Sequence, residues 1–409
     1  MLAPIENRVQ GVFVRKRFFA LCVLLSCLTL AIQVDGQIAA STLPITDDLD
    51  RESLRLAIER SRSYLRKLPA DRVVGEQPRQ VTAGQVLDSL AALDRLLDRW
   101  SCWECFVEEF KARFELVPSS RDEQQREVLF TGYYQPVIDG SLVETSEYRY
   151  PIYGKPADLV SLGGVAGAGE SAKKMSGRVE AERFAPYYTR REIDHAGLLR
   201  GRGFEIAWVK DPVELFFLHI QGSGILRLPD GRRLHIGYAG QNGRPYRSIG
   251  RLLIDQGKIS QTEMSMQRLR RHLSENPEER NEIMAHNESY VFFRVTETGP
   301  FGSLEVPVTA GRSIATDSGL FPKGAPALIY SESPVLNGRD RLIGWRPFVR
   351  FVLNQDTGGA IRGFQRADLY MGSGDDAGAH AGYMNSPGKI FFLMLKNPGR
   401  RAGERYFVK

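Results

Sequence analysis

Two aspartates stand in a glycine-rich stretch towards the C-terminal end of this 409-residue chain. Residues Gln355–Gly374 include Asp356 and Asp368 with five glycines and two arginines, directly after the strand-like run Phe348–Asn354. Glycines let the backbone approach a ligand closely or adopt positive φ. A carboxylate held in such a loop on a rigid β scaffold suits acid–base chemistry. The alternative is that the glycines form tight corners and the aspartates only cap turns.

The composition is that of an ordinary globular protein. Apolar residues make up 42% and charged residues 25% of the chain, and the length is sufficient for two domains or for one domain with an insertion. The formal net charge of +6 favours an anionic surface or polymer. No dense basic block or RNA-binding motif is present, so we expect no nucleic-acid partner.

The first 40 residues are typical of a leader segment. Arg15-Lys-Arg17 precedes the apolar run Phe18–Ile32, and Ile38-Ala-Ala40 offers small residues for cleavage. Two alternatives stay open: lipidation at Cys27, for which the surrounding match is poor, and an uncleaved membrane anchor, for which the run is shorter than the roughly 20 residues that span a bilayer. In each case the bulk of the chain is predicted to be exported, with the N-terminus able to attach it to a membrane.

The cysteines outside the leader form the pair Cys102-Trp-Glu-Cys105. In an exported protein this pair is expected to be structural, as a short-loop disulfide. A zinc site would need further ligands, and the sequence has neither a second Cys-x-x-Cys nor a paired histidine motif. No Walker or dinucleotide-binding fingerprint is present either, so no metal or cofactor is predicted.

Periodicity divides the remaining chain into a helical part, residues 41–128, and a mainly β part. A helix over Leu54–Leu68, a capping box at Thr82 and Gln85, and an apolar core stripe at Trp103, Phe106, Phe110 and Phe114 are predicted first. Further helices are expected over Arg247–Gln256, from a cap at Ser260 with Glu263, and from Asn276-Pro277. Strands are predicted at Val128–Tyr134, Phe204–Lys210, Glu214–Gln221, Arg232–Tyr238, Tyr290–Thr296, Leu304–Val308, Ala327–Ser331, Phe348–Gln355, Lys389–Leu395 and Arg405–Val408. The stretch Gly163–Ser176 is predicted to be a flexible loop.

Four spaced motifs resemble a known family. They are Phe130-Thr-Gly-Tyr-Tyr-Gln-Pro136, Phe217-Leu-His-Ile-Gln-Gly-Ser-Gly224, Gly311-Arg-Ser-Ile-Ala315 with Phe321-Pro-Lys-Gly324, and the Gln355–Gly374 stretch with its continuation to Met384. In this order they are similar to the membrane-bound lytic transglycosylase A (MltA) family with its C-terminal 3D domain, over roughly residues 125–397. The resemblance implies an α+β, mainly β protein: a double-psi β-barrel with an inserted second β domain, plus N-terminal helices. The expected domains are an insert at 129–302 and the barrel at 303–409.

The resemblance also implies a reaction. The family cleaves the β-1,4 bond between N-acetylmuramic acid and N-acetylglucosamine in peptidoglycan without water, which leaves a 1,6-anhydromuramoyl end. The family's catalytic acid falls on Asp368, and Asp356 matches a supporting aspartate. The third family aspartate matches either Asp375 or Asp376. A single carboxyl suffices because, once deprotonated, it can accept the proton of the sugar's own C6 hydroxyl.

Further residues are implied to bind the glycan. The substrate-binding set predicted from the motifs is Thr131, Tyr133, Gln221, Gly222, Ser223, Gly359 and Ala360. Their hydroxyl and amide groups can bond to sugar hydroxyls and N-acetyl groups. Because Tyr133 and Tyr134 alternate along a predicted strand, one of them is expected in the core. His219 is interpreted as a core histidine and Asp317 as a turn cap.

Two rival functions remain open at this point. One is a glycoside hydrolase that uses Asp356 and Asp368 as a carboxylate pair. The other is a non-catalytic, expansin-like protein that binds wall glycan. In every case the expected partner is the peptidoglycan strand, and a monomer in the periplasm, or on the periplasmic face of the outer membrane, of a Gram-negative-type bacterium is predicted.

Overall fold

Helices lie in the N-terminal part of the chain, in the middle of its β-rich part and directly before its last described strand. The computed structural model describes residues 43–162, 175–180 and 182–396. The α-helices in these ranges are α1 (Arg51–Leu65), α2 (Ala83–Leu96), α3 (Trp103–Arg113), α4 (Arg190–Asp194), α5 (Pro212–Gln221), α6 (Ile249–Asp255), α7 (Met266–Glu275), α8 (Pro277–His286) and α9 (Asp375–Tyr383). Short 3-10 turns occur at Leu97–Arg99 and Glu123–Gln125. No helix in the described ranges is long and apolar enough to cross a bilayer.

Strands begin before the β-rich part and continue to the end of the described chain. The strands are β1 (Val73–Gly75), β2 (Val81–Thr82), β3 (Phe114–Pro118), β4 (Val128–Gln135), β5 (Val137–Ser141), β6 (Tyr150–Tyr153), β7 (Val160–Leu162), β8 (Met175–Glu180), β9 (Arg183–Pro186), β10 (Glu205–Val209), β11 (Gly224–Arg227), β12 (Arg233–Gln241), β13 (Val291–Thr296), β14 (Ser313–Ala315), β15 (Pro326–Leu336), β16 (Leu342–Asp356), β17 (Arg366–Ser373) and β18 (Asn385–Leu395).

Six of these strands close into a barrel. Their order is β15-β16-β14-β17-β4-β18, and β18 pairs again with β15, which completes the ring. Two neighbouring pairs are parallel, β4 with β17 and β14 with β16, and the other four are antiparallel. Closure leaves no open edge inside the ring. The mainly β fold class predicted from the resemblance, a barrel with an inserted second β domain, is confirmed.

The segment between β4 and β14 forms a second sheet beside the barrel. Its strand order is β13-β12-β11-β5-β10-β6, and β7, β8 and β9 form a separate three-stranded sheet. The edge strands β6 and β13 meet through a bridge between Gly154 and Phe293. Helices α5 to α8 lie in the same segment, and apolar residues of α5, α6, α7 and α8 share one buried cluster. The chain thus leaves the barrel at the end of β4 and returns to it at β14.

The N-terminal helices share the hydrophobic core of the barrel. The predicted capping box is present, with Gln85 N–H bonded to the Thr82 hydroxyl and Thr82 N–H bonded to the Gln85 side chain. The predicted aromatic stripe of α3 is also confirmed, because Phe106 and Phe110 are buried and pack edge-on against Phe351 of β16. The structure adds β1, β2 and β3, which periodicity did not predict in this part.

A buried ion pair ties the segment before α1 to the barrel. Arg312 and Asp47 have fully buried side chains, with 2.6 Å between Nη1 and Oδ2. The Arg312 guanidinium also donates to the carbonyls of Asp50 and Phe351 at 2.7 and 2.9 Å. Nearby, Arg350 of β16 makes a two-bond contact with Asp48 at 2.7 and 2.6 Å. Buried ions of this kind are tolerated only when fully partnered.

Three of the predicted elements are wrong. Glu214–Gln221, predicted as a strand, is helix α5, because Asp211 caps it, Pro212 occupies its first turn and Gly222 ends it at φ +76°. Leu304–Val308, predicted as a strand, is a turn in which the Gly302 N–H donates a hydrogen bond to the Val306 carbonyl. The helix expected from Ser260 begins at Met266, capped by Ser265.

Other predictions fall partly or wholly outside the described residues. The leader at 1–40 and the strand at Arg405–Val408 lie outside them, as do residues 163–174 of the predicted loop. The last two residues of that loop, Met175 and Ser176, begin β8 and pair with β7. The cysteine pair Cys102–Cys105 forms a disulfide.

We predict that Asp47→Asn destabilises the protein by about 3–5 kcal/mol, since it leaves the Arg312 charge buried without a counterion. Asp48→Asn is the matched control. Its carboxylate is 33% exposed, so its loss should cost about 1 kcal/mol or less. Urea unfolding at neutral pH measures both free energies. Equal small losses in the two variants would show that the buried pair does not hold the N-terminal segment in place.

Candidate active site

The two aspartates predicted to carry the chemistry flank one short barrel strand. Ala315 of β14 is the register partner of Asp356 on β16 and also of Asp368 on β17. Since neighbouring strands are about 4.8 Å apart, the two aspartate backbones lie roughly 10 Å from each other. The barrel therefore brings both carboxylates to the same end of three adjacent strands.

Asp356 is held by hydrogen bonds to both of its carboxylate oxygens. Oδ1 accepts from the backbone N–H groups of Ser303 and Thr357 at 2.9 and 2.8 Å, and Oδ2 accepts from the Tyr133 hydroxyl at 2.9 Å. Burial raises the pKa of Asp356 to about 6, and these three donors oppose that rise. Burial, together with the adjacent Asp356, raises the pKa of Tyr133 well above its usual range, so its phenol remains a donor.

Asp368 has fewer partners. The Thr131 hydroxyl, on the parallel neighbour β4, donates to its Oδ1, and the Arg366 guanidinium lies 3.8 Å from the same oxygen. Arg366 also donates to the Thr131 hydroxyl at 3.2 Å. Burial raises the pKa of Asp368 to about 6. Arg366 lowers this pKa, and the Asp356 charge raises it. The Asp368 side chain keeps 21% exposure, so it can reach a ligand.

Helix α1 holds the strand that presents Asp356. The preceding residue, Gln355, is fully buried, and its amide donates to the Ala57 carbonyl at 2.8 Å and to the Ser61 hydroxyl at 2.9 Å. Its Oε1 accepts from Ser313 of β14 at 2.5 Å. The N-terminal helices therefore do more than cover the barrel, because they fix the end of β16 next to the site.

Both carboxylates open into a cavity of about 440 Å³ between the barrel and the inserted segment. Seven predicted site residues line it: Asp356, Asp368, Tyr133, Gln221, Gly222, Gly359 and Ala360. Thr131 does not line it but reaches Asp368 from β4. Ser223, which was predicted to bind substrate, does not line this cavity either. A concave site with few polar groups converging on it is typical of ligand binding.

The structure changes the interpretation of Gln221 and its neighbours. They were predicted on a strand, but Gln221 ends helix α5 and Gly222 is its left-handed cap. Gln221 Oε1 accepts a hydrogen bond from the Tyr134 N–H at 3.0 Å, which joins the inserted segment to β4. Tyr134 is the buried member of the tyrosine pair, as predicted, and Tyr133 is the one that faces the cavity.

The remaining polar candidates, His219 and Asp317, are held by hydrogen bonds, and His219 also lines the cavity. His219 is 4% exposed and its Nδ1 lies 2.8 Å from the Arg190 guanidinium, so it is a buried, hydrogen-bonded residue as expected. Burial and Arg190 hold the pKa of His219 well below its usual range. Asp317 accepts from the N–H groups of Gly319 and Gly363, consistent with a turn cap. Neither Asp375 nor Asp376 lines the cavity that holds Asp368.

Sequence reasoning missed the wall contributed by the inserted segment. It includes Arg190, Arg244, Tyr238 and Tyr246, of which the two tyrosines are 46% and 41% exposed. Exposed tyrosine faces beside a cavity can stack on sugar rings. Part of this wall could have been recognised from the sequence. The run Gly240-Gln-Asn-Gly-Arg-Pro-Tyr246 combines Gly, Pro and aromatic residues in a way that is typical of a binding loop.

Family models match the two parts of the chain that form this cavity. A model described as the MltA specific insert domain matches residues 129–294, and one described as the 3D domain matches residues 312–394. A membrane-bound lytic murein transglycosylase A from Vibrio cholerae is 32% identical, over 68% of this chain and 69% of that protein. The chain belongs to the MltA family.

Other relatives agree with this assignment. The Escherichia coli K12 protein of the same name is 34% identical over 65% of each chain. A solved lytic murein transglycosylase from Agrobacterium tumefaciens has a TM-score of 0.69 and 31% identity, over 85% of this chain and 93% of that one. E. coli MltA with bound chitohexaose has a TM-score of 0.65 and 25% identity, over 87% and 92% of the two chains. The predicted family is thereby confirmed.

The carboxyl of Asp368 should cost stability at neutral pH. Because burial raises its pKa from 3.8 to about 6, the folded MltA-family protein binds this proton more tightly than the unfolded chain does. The folding stability gained from this tighter proton binding is fully present at low pH and is lost as pH rises through about 6. We therefore expect Asp368→Asn to stabilise the protein at neutral pH by about 2–3 kcal/mol and to have little effect near pH 3.5.

Thermal or urea unfolding at the two pH values tests this expectation. Asp376→Asn is the matched control, since the Asp376 side chain is 91% exposed and lies outside the cavity. A stability change in Asp368→Asn that is the same at both pH values would mean that its carboxyl does not titrate as expected.

Proposed function

We propose that this protein is a lytic transglycosylase of peptidoglycan that uses Asp368 as its single acid and base. It would cleave the β-1,4 bond between N-acetylmuramic acid and N-acetylglucosamine and leave a 1,6-anhydromuramoyl end. The observation that carries the proposal is the unequal bonding of the two carboxylates. Both oxygens of Asp356 are occupied by donors, whereas Asp368 has one hydroxyl partner and access to the cavity.

In the first step, protonated Asp368 donates its proton to the glycosidic oxygen as the C1–O bond breaks. A pKa of about 6 keeps a useful fraction of the acid form at mildly acidic pH. Arg366, 3.8 Å away, stabilises the carboxylate that this step produces. Ionised Asp356, fixed by its three donors, offers negative charge to the oxocarbenium-like centre.

In the second step, the Asp368 carboxylate accepts the proton of the muramoyl C6 hydroxyl while O6 bonds to C1. The broken C1–O4 bond is replaced by the C1–O6 bond, and the proton returns to Asp368. No water is consumed and no second catalytic carboxylate is needed. Thr131, which bonds to Asp368, would keep the carboxyl oriented between the two positions.

Glycan binding is supported by the cavity and by a relative. The E. coli MltA structure contains chitohexaose, a β-1,4-linked amino-sugar oligomer, and this chain shares its fold. The exposed Tyr238 and Tyr246 are suited to stacking on pyranose rings, and the amide of Gln221 lies at the same wall. We assign Tyr133, Gln221, Gly222, Gly359 and Ala360 to the glycan-binding surface within this proposal. The predicted leader and the word membrane-bound in the relatives' names support export towards the outer membrane.

The hydrolase alternative is less well supported by the geometry. A second catalytic carboxylate would need a free oxygen to attack C1 or to activate water. Asp356 would first have to give up its bond to Tyr133 or to the backbone N–H groups of Ser303 and Thr357. A non-catalytic protein that binds cell-wall glycan would not need two carboxyls with raised pKa values in its binding site.

We expect Asp368→Asn to reduce solubilisation of purified sacculi by about 10²–10⁴-fold, because an amide cannot donate and then accept the catalytic proton. Asp376→Asn should retain wild-type activity. Mass spectrometry of the wild-type products should show muropeptides lighter by one water than the hydrolytic products. Reducing muramoyl ends would favour the hydrolase, and an Asp368→Asn variant that still lyses sacculi fully would exclude the single-acid mechanism.

The activity should depend on pH through Asp368. With a pKa of about 6, the acid form is lost at higher pH, so kcat/KM should fall about tenfold per pH unit above that value. Arg366→Gln removes the charge that lowers this pKa, and we expect the descending limb to move to higher pH. Arg339→Gln, on the exposed turn between β15 and β16, is the control. If the fall in kcat/KM at high pH occurs at the same pH in Arg366→Gln as in the wild type, this fall does not report the titration of Asp368.

A further inference from the structure

A second cavity of about 380 Å³ lies inside the inserted segment and contains neither Asp356 nor Asp368. Residues from α4, α5, α8 and the strand β6 surround it. Its charged wall consists of Arg149, Arg190, Arg200, Arg280 and Asp194, with His195 beside them. Four guanidinium groups around one cavity far outnumber the single carboxylate that lines it.

Only half of this positive charge is compensated. Arg190 lies 3.5 Å from Asp194, and Arg200 pairs with Glu144. The side chains of Arg149 and Arg280 make no ion pair or hydrogen bond to any residue in the described ranges. The Arg149 guanidinium only lies over the Tyr150 ring, 5.6 Å from its centroid. Two cations without an acidic partner in the described ranges therefore line the same cavity, Arg149 as an exposed residue and Arg280 as a half-buried one.

The acids nearest to Arg280 along its helix do not supply the missing partner. Glu279 pairs with Lys258 and His272, and Glu282 pairs with Arg191 on the outer surface. Arg280 Nε is buried and bonds to nothing in the described part of the chain. A buried guanidinium N–H left without an acceptor is costly, and native structures generally satisfy such groups with protein, water or ligand.

We propose that this cavity is a binding site for an oxyanion, a carboxylate or a phosphate. The planar guanidinium fork matches the paired oxygens of both groups, and Arg280 with Arg149 supplies the charge that such a ligand needs. The Asn281 side chain, in the same wall, offers a further amide donor. This proposal does not rest on the glycan chemistry at Asp368. The two cavities share one wall residue, the 2% exposed Arg190.

The ligand could be a free phosphate ion or a carboxylate of a peptide stem, and two probes separate these sources. The first is inorganic phosphate at about 10 mM, compared with sodium chloride of equal ionic strength so that general screening is matched. The second is the peptide stem released from purified peptidoglycan, compared with its methyl ester. The thermal unfolding midpoint of the full-length protein is measured with each probe, in wild type, Arg280→Gln, Arg149→Gln and the hairpin control Arg339→Gln.

We expect one probe or both to raise the wild-type midpoint by at least about 2 °C, with the same shift in Arg339→Gln and less than half of it in Arg280→Gln and Arg149→Gln. A response to phosphate identifies a free-anion site. A response to the stem alone, lost on esterification, identifies a peptide carboxylate as the ligand. Equal unliganded midpoints in all four proteins would show that the substitutions leave the fold intact.

The proposal is overturned if neither probe stabilises the wild-type protein. It is also overturned if Arg280→Gln and Arg149→Gln respond as fully as wild type does. Retained cleavage of sacculi by these variants, together with a lost anion response, would separate this site from the proposed catalytic one, since neither arginine lines the cavity of Asp368.

Discussion

The parallel pairing of β4 with β17 is the constraint on which the rest of the site depends. It joins Thr131 to Asp368 across 237 positions of sequence, and it sets Tyr133 on the same strand within reach of Asp356. Parallel neighbours need a long crossover, and here the chain between β4 and the barrel's next strand is the inserted segment itself. The chain between β4 and its parallel partner β17 thus contains the inserted segment, which supplies one wall of the cavity, followed by β14, β15 and β16.

Burial raises the pKa of both aspartates, and the two side chains differ in their hydrogen bonds. Desolvation is the largest cause that raises the pKa of Asp356 and of Asp368, and both pKa values are about 6 with the hydrogen bonds and neighbouring charges included, so the pKa values do not distinguish the two carboxyls. Three donors converge on Asp356 and favour its ionised form, whereas Asp368 has a hydroxyl and a more distant guanidinium. In the proposed mechanism this difference in bonding is what gives two similar carboxyls different roles, as in other pairs of acids in glycan-cleaving sites.

Much of the barrel and both aspartates could be predicted from the sequence, because strand periodicity and the glycine-rich stretch are local signals. The family resemblance supplied the closed topology, which periodicity cannot give. Helix α5 was missed because its apolar residues run almost continuously and a short apolar run fits a strand equally well. Its caps, Asp211 with Pro212 and then Gly222, held the decisive information. The cavity wall as a whole could not be predicted. The run Gly240–Tyr246 carries a local signal, but its proximity to Arg190 of α4 depends on tertiary packing.

The N-terminal helices explain how the fold tolerates a destabilising site. Two buried carboxyls with raised pKa values oppose folding at neutral pH, and β14, the strand between the two that carry them, has only three residues. Helix α1 grips the end of β16 through Gln355, and the Asp47–Arg312 pair fixes the segment before that helix. Because these contacts act on β16, the strand that carries Asp356, loosening them should disturb the orientation of the carboxylates before it unfolds the barrel. We therefore interpret the helical part as a support for the strands of the candidate site, which stabilises the barrel against the cost of burying its two carboxyls.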